Sequence, residues 1–274
     1  MNFEVLIIGS DVNAYYMARC THEAYNKKAY MLIKDKLAFT TYSKIINHIY
    51  NDKIWNEKDF VDAVNGFASK HSDKKILVIS SNETYAQFLV KNKNHFYDNV
   101  VFNYPSLNIL ESLINKEKFY KTYDNSVLSL PKTIYVDLSK YNNDKLNITF
   151  PVIVKPANVV LYNHVNFVGK EKIYKLNNES ELLDTLSLIK SSNYDDTLIV
   201  QEYIPGDDSY LFDSVVYCDK NGKVKLLSFA QIGLQEHNPN MIGNAAVLIN
   251  GYNSFGINSD EMVSCICDFM ESIS

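Results

Sequence analysis

Tryptophan occurs once, at Trp55, arginine is almost absent, and the 274 residues include only 9 glycines, 6 prolines and 4 cysteines. So little glycine and proline leaves no low-complexity linker, and no internal repeat is visible. No stretch approaches the ~18 apolar residues that a membrane helix needs, so no integral membrane segment is expected. The opening MNFEVLIIGSD has no basic n-region, carries Glu4, and its apolar run is broken by Gly9; it reads as a strand rather than a signal peptide. Cys20, Cys218, Cys265 and Cys267 are scattered, and the close pair is C-x-C. That is neither a disulfide framework nor a zinc pattern, and thiols in a reducing cytoplasm are expected. Triplets such as Asn147-Ile-Thr149 carry no glycosylation meaning in that compartment. There is no Lys/Arg run, the formal net charge is −5 and the pI is near 5.7. Nucleic acid and anionic membrane are excluded as main partners, and a small-molecule substrate fits better.

What is present is an ordinary globular composition, 46% hydrophobic and 22% charged, enough for one large or two ordinary domains. Lysine, asparagine and tyrosine are abundant, with 20 tyrosines, and this reads as codon bias. The pattern begins as strand, turn, helix: EVLII at 4–8, then residues 13–25 with Ala14, Met17, Ala18 and Tyr25 at near-helical spacing. Strands at 29–33, 45–50, 76–80 and 99–102 alternate with helices at 57–70 and 83–91, a doubly wound α/β unit of about 100 residues. A helix is expected over 106–123, and Pro131 then marks a change of style. Strands follow at 133–136, 151–155, 172–176 and 197–204, with one helix at 180–190. Two long strands at 210–218 and 223–235 flank the turn Asp219-Lys220-Asn221-Gly222. The amphipathic segment 259–273 places Met262, Ile266, Phe269, Met270 and Ile273 on one face, and Asp260, Glu261, Asp268 and Glu271 on a solvated one.

Gly9 sits between a strand and a helix, where free N–H groups and the positive helix end can meet an anion. It stands alone where G-x-G-x-x-G needs three glycines, so a nicotinamide enzyme is disfavoured. Ser10, Asp11 and Asn13 fit either a substrate loop or plain turn and N-cap chemistry. Further on, Lys116 and Lys118 lie in NKEKFYKTY, Lys155 closes the apolar strand PVIVKP, and VQEYIPGDDSY joins a strand to an acidic turn. A lysine ending an apolar strand is costly to bury alone and is better presented to an anion. The backbone of Gln201-Glu202-Tyr203-Ile204 offers an extended edge for an adenine ring, and Asp208 a carboxylate for a ribose hydroxyl. Glu236, His237, Asn238, Gly243 and Asn244 form a polar cluster, readable as amino-acid recognition or as a turn held by asparagine and Pro239.

In order and spacing, the helical lysine, P-V-I-V-K-P and V-Q-E-Y-I-P-G-D-D resemble the ATP-grasp superfamily. GSDVNAYYMARCTHEAY and QEHNPNMIGNAAV are similar to its D-aspartate ligase (carboxylate–amine ligase) branch. The resemblance spans the chain and implies a Rossmann-like pre-ATP-grasp domain over 1–112, then an incomplete α+β ATP-grasp domain over 113–274 with a lid lobe at about 130–200. It implies an ATP-dependent ligase forming an amide through an acyl phosphate, acting on D-aspartate and a peptidoglycan precursor, with ATP and Mg²⁺ as cofactors. Lys116 and Lys155 would hold the phosphates, with Lys118 as alternative to Lys116. Gln201, Glu202 and Ile204 would frame adenine, Tyr203 would lie beside it, and Asp208 would take the ribose. Gly9, Ser10, Asn13, Arg19, His237 and Asn244 are the substrate candidates, Arg19 as a bidentate carboxylate partner. Residues 157–172 would form the lid, here aromatic through Tyr162, His164 and Phe167 where many lids are glycine-rich; His164 reads equally as packing or surface.

The family's metal ligands would follow the last helix, so no catalytic or metal residue is assigned within the chain, and a fragment with little turnover is expected. A homodimer is left open. The rival readings are an ATP-grasp ligase for another amino acid and a non-catalytic nucleotide-binding module.

Overall fold

The computed structural model describes residues 2–142, 144–236, 243–251 and 259–274. They form two compact units, Met1–Leu110 and Glu111–Ser274. In the first, β1 (Phe3–Ile8), α1 (Val12–Tyr25), β2 (Ala29–Ile33), α2 (Ala38–Thr41), β3 (Ile46–Tyr50), α3 (Glu57–Lys70), β4 (Lys75–Ser80), α4 (Glu83–Lys91) and β5 (Val100–Val101) follow one another. The strands make a parallel sheet in the order β3-β2-β1-β4-β5. Both faces are covered, which is why FEVLII is apolar throughout. Leu6 and Ile8 point into one cluster with Phe60, Val64 and Leu89, while Val5 and Ile7 point into the other with Ala14 and Ala18. The α/β expectation is met.

α5 (Leu107–Ile114) straddles the division, and the second unit continues with α6 (Lys116–Tyr123). One helix was expected over 106–123; the chain breaks it at Asn115, whose side chain turns back to cap α6 at the Lys118 N–H, 2.9 Å away. Asn56, Asn82 and Asn178 cap other helices in the same way. Part of the asparagine abundance therefore has a structural use that composition alone did not reveal.

β6 (Thr133–Asp137), β7 (Val152–Pro156), α7 (Val159–His164), β8 (Tyr174–Leu176), α8 (Glu179–Ser191) and β9 (Thr197–Glu202) follow. The four strands form an antiparallel sheet in the order β6-β9-β7-β8. Side chains alternate across it. Val136, Val152, Val154, Leu198 and Val200 pack with Leu182, Leu186 and Ile189 of α8. The opposite face carries Thr133, Gln201, Ile153 and Lys175 in one register row, and Tyr135, Ile199 and Lys155 in the next.

A third sheet, β10 (Phe212–Cys218), β11 (Val224–Gln235) and β12 (Ala245–Ile249), is antiparallel. Its expected hairpin closes at Gly222, φ 74°, and Phe212 and Phe229 stack at 5.1 Å across it. β12 had no counterpart in the sequence reading. α9 (Ser259–Ile273) exposes Asp260, Glu261 and Asp268 as expected. Glu271 is a correction. It is half-buried, pairs with Lys223 at 2.7 Å and accepts the Val224 N–H at 3.1 Å, tying the helix to the start of β11.

Candidate nucleotide site

The face of the four-stranded sheet turned away from α8 carries a polar cluster, with Tyr120 of α6 against it and Ile199 and Gln201 buried. Lys155 donates from Nζ to Gln201 Oε1 at 3.0 Å and to Tyr120 Oη at 3.1 Å. Tyr120 in turn donates weakly to Gln201 Oε1 at 3.4 Å, closing a triangle. Gln201 is 3% exposed, so its amide must be paired. Its Nε2 donates to Thr133 Oγ1 at 2.8 Å, and the Thr133 hydroxyl donates onward to Pro131 O at 2.8 Å. Because Thr133 has given away its only proton, it can only accept from Gln201, and this fixes Oε1 toward Lys155.

Burial pushes the Tyr120 phenol up, but the Lys155 ammonium, with the Lys116 charge, draws it below its ordinary value. Lys116 thus stands within electrostatic reach of the same cluster. Lys118, the alternative, is drawn away into a surface pair with Glu111 at 2.8 Å. Beside Tyr120 and Thr133 a cleft of about 210 Å³ opens against Pro131 and Tyr135; it is smaller than the ~300–1,000 Å³ of a typical ligand pocket, so a nucleotide would not fit inside it.

Past β9, the Glu202 N–H is bound to Lys132 O at 3.0 Å and the Tyr203 N–H to Pro151 O at 3.1 Å. Lys175 Nζ lies 3.7 Å from the centre of the Tyr203 ring, a cation–π contact that covers one face of it. Ile204 is 67% exposed. The Asp208 carboxylate is engaged by Gln235, through Nε2 at 2.8 Å and the backbone N–H at 3.3 Å. Asp207 caps the adjoining turn through Ser209. Close by, Gln231 is 2% exposed; its Nε2 bonds Ser209 O, and its Oε1 has no partner.

The expected lid is laced to its own unit. Tyr162 and Tyr174 hydroxyls meet at 2.9 Å, Tyr162 donates to Glu171 O at 2.9 Å, and Tyr174 accepts the Glu171 N–H at 2.8 Å. His164 is exposed.

The substrate candidates of the first unit cluster less tightly. Gly9, φ 118°, follows β1, and a Cβ there would collide with the Ser81 hydroxyl, which donates to Asp11 Oδ2 at 2.8 Å. Asp11 is the cap of α1, accepting the Ala14 N–H at 2.9 Å. Ser10 is buried, and its carbonyl accepts from Thr40 at 3.3 Å. Asn13 is exposed on the first turn of α1. Arg19, the single arginine, is exposed and paired with Glu23 one turn on, at 2.8 Å. In the second unit, Asn244 precedes β12 and its carbonyl accepts the Glu236 N–H at 2.9 Å. His237 lies outside the described residues. Among the described residues no three of His, Cys, Asp and Glu gather as a metal site. Tyr120 and Thr133 were missed by sequence reasoning, although Tyr120 stands four residues after Lys116 and hence on the same helix face.

No protein-family profile matches the chain. Solved structures share its fold. It matches an L-amino acid ligase from Bacillus licheniformis with TM-score 0.63 at 13% identity, over 100% of this chain and 61% of that one. It matches biotin carboxylase from Campylobacter jejuni, solved as a β,γ-ATP complex, with TM-score 0.66 at 14% identity, over 98% and 59%. The fold is that of the ATP-grasp ligases. In sequence the chain is related to D-aspartate ligase of Enterococcus faecium (strain Aus0004), at 32% identity over 278 residues. That alignment covers 99% of this chain and 65% of the relative, so the chain spans somewhat less than two-thirds of the relative's length.

Proposed function

We propose that the protein carrying this chain is an ATP-dependent carboxylate–amine ligase. A carboxylate oxygen of an amino acid attacks the γ-phosphorus of ATP and ADP leaves; an amine nitrogen then attacks the acyl phosphate, phosphate departs, and an amide forms. The observation that carries this reading is Lys155, held half-buried between Tyr120 and Gln201 with Lys116 in electrostatic reach of the same phenol. Two cations on developing phosphate charge are what phosphoryl transfer requires, since positioning and electrostatics supply most of its catalysis. Tyr203 and the backbone of Glu202 and Ile204 would take adenine and Asp208 the ribose, after release from Gln235. Gln201, expected to frame adenine, has both ends of its amide occupied and acts through Lys155. The substrate candidates are Gly9, Ser10, Asn13 and Arg19 in the first unit and, separately, Asn244 in the second.

D-aspartate as substrate rests on the sequence relative, and a peptidoglycan-precursor amine on the resemblance alone. Mg²⁺ belongs to this chemistry as neutraliser of phosphate charge, but the described residues do not assemble ligands for it. The domain roles, pre-ATP-grasp for the first unit and ATP-grasp for the second, and a cytoplasmic site, where ATP is at hand, complete the proposal; no described helix is long and apolar enough to cross a membrane.

The test is ATP-dependent phosphate release by the whole protein offered D-aspartate, L-aspartate and D-alanine in turn beside a precursor amine. Release with D-aspartate alone supports the full reading, and release with another amino acid a ligase of different specificity. No release from protein that still binds ADP would replace the enzyme with a non-catalytic nucleotide-binding module.

A further inference from the structure

We propose that Tyr120 is a positioning residue of the nucleotide site, its hydroxyl fixing the Lys155 ammonium against Gln201 so that the charge meets a nucleotide phosphate in one orientation. This rests on the ATP reading above.

An ammonium has three donors, and two contacts, to Tyr120 and Gln201, define where the third points. A free lysine side chain loses rotamer entropy when it is ordered, and ordering it before the ligand arrives removes that cost from binding. The ring adds to the hold, with Nζ 5.1 Å from its centroid. Tyr120 is itself fixed by the edge-to-face contact with Phe119 at 5.5 Å and by the Asn115 cap of its helix. The Gln201 amide cannot turn over without losing Thr133. The clamp is therefore rigid at both jaws.

The clamp also has a chemical signature. Around the phenol stand Lys116, Lys121 and Asp124 of its own helix and the cap after it, Lys155 of β7, and Tyr135 of β6. Lys121 is turned to Glu117 at 2.5 Å and over the Tyr135 ring at 4.5 Å, so Lys155 and Lys116 dominate. When the phenol ionises it cancels one positive charge beside the phosphate position. Nucleotide affinity should then fall as pH rises toward the ordinary phenol value of 10, because the Lys155 ammonium draws the phenol below it.

The experiment is calorimetric titration of ATP into the protein and into Tyr120→Phe, from neutral pH to 10, with circular dichroism as the folding control. The expected results are a five- to tenfold weaker affinity for Tyr120→Phe at neutral pH, about the effect of one hydrogen bond, and loss of the alkaline limb that the parent shows. In turnover the variant should raise KM for ATP and leave kcat nearly unchanged. Equal affinity and an identical pH profile overturn the proposal. Should the variant fail to fold, the parent decides alone: affinity flat from neutral pH to 10 overturns it. A folded parent that binds no ATP instead overturns the nucleotide reading, and this inference with it.

Discussion

Replacing Gln201 with leucine keeps the size of the side chain and removes every polar contact it makes. The position is 3% exposed, in the second strand of the four-stranded sheet, between Thr133 and Ile153 in register. The lost bond from Lys155 involves a charged donor, worth about 1.5–3 kcal/mol, and the bond to Thr133 is worth about 1 kcal/mol. The Tyr120 contact at 3.4 Å adds little. Leucine regains part of this through burial of apolar area, and Lys155, only half-buried, recovers water. The net expectation is a loss of about 2–3 kcal/mol. Urea unfolding followed by far-ultraviolet circular dichroism measures it as a lowered midpoint at constant slope; fluorescence would not serve, because Trp55 belongs to the other unit. A loss under about 0.5 kcal/mol would refute the argument, since it would mean that the triangle is no stronger than its hydration.

Lys155→Met should abolish ATP binding while Lys118→Met leaves it within about twofold, because an exposed pair such as Lys118–Glu111 contributes under about 1 kcal/mol; titration calorimetry compares them. Gly9→Ala combines a φ of 118° with a collision at Ser81, whose bond to Asp11 must break, so a loss of about 2–4 kcal/mol in urea is expected. Burial, with Asp35 nearby, pushes the Tyr85 phenol up to about 12. The folded value lies above the unfolded one, so the stabilisation is full below pH 10 and is lost as pH rises through about 12. Stability should therefore drop by about 2–3 kcal/mol over that window, and Tyr85→Phe should flatten the drop.

The parallel sheet was legible because burial on both faces writes itself as unbroken apolar runs such as VLII and ILVI, bounded by Gly9 and Asn82. The strand β7 was legible in the apolar run PVIVK, but its antiparallel pairing was not, and only the sheet shows that Val152 and Val154 take the core while Lys155 turns to the opposite face. β12 was not, since AAVLI is five residues without a partner pattern of its own, and only its pairing with β11 makes it a strand. The same limit governs the site. Lys155 could be singled out because a charge on an apolar strand is expensive, but which groups hold it depends on register: Gln201 reaches Lys155 only because Ile199 is paired opposite Lys155 and Gln201 lies two residues on, on the same face. Tyr120 had a local signal in its spacing from Lys116, yet nothing in the sequence brings α6 over this sheet. Asp208 shows the same limit from the other side. In the acidic turn after β9 it reads as offered to a ligand, whereas Gln235, 27 residues later, occupies both its oxygens. On the proposed reading a ribose would compete with two protein donors for that carboxylate, exchanging hydrogen bonds rather than adding them, so Asp208 would contribute less to nucleotide affinity than a carboxylate without partners.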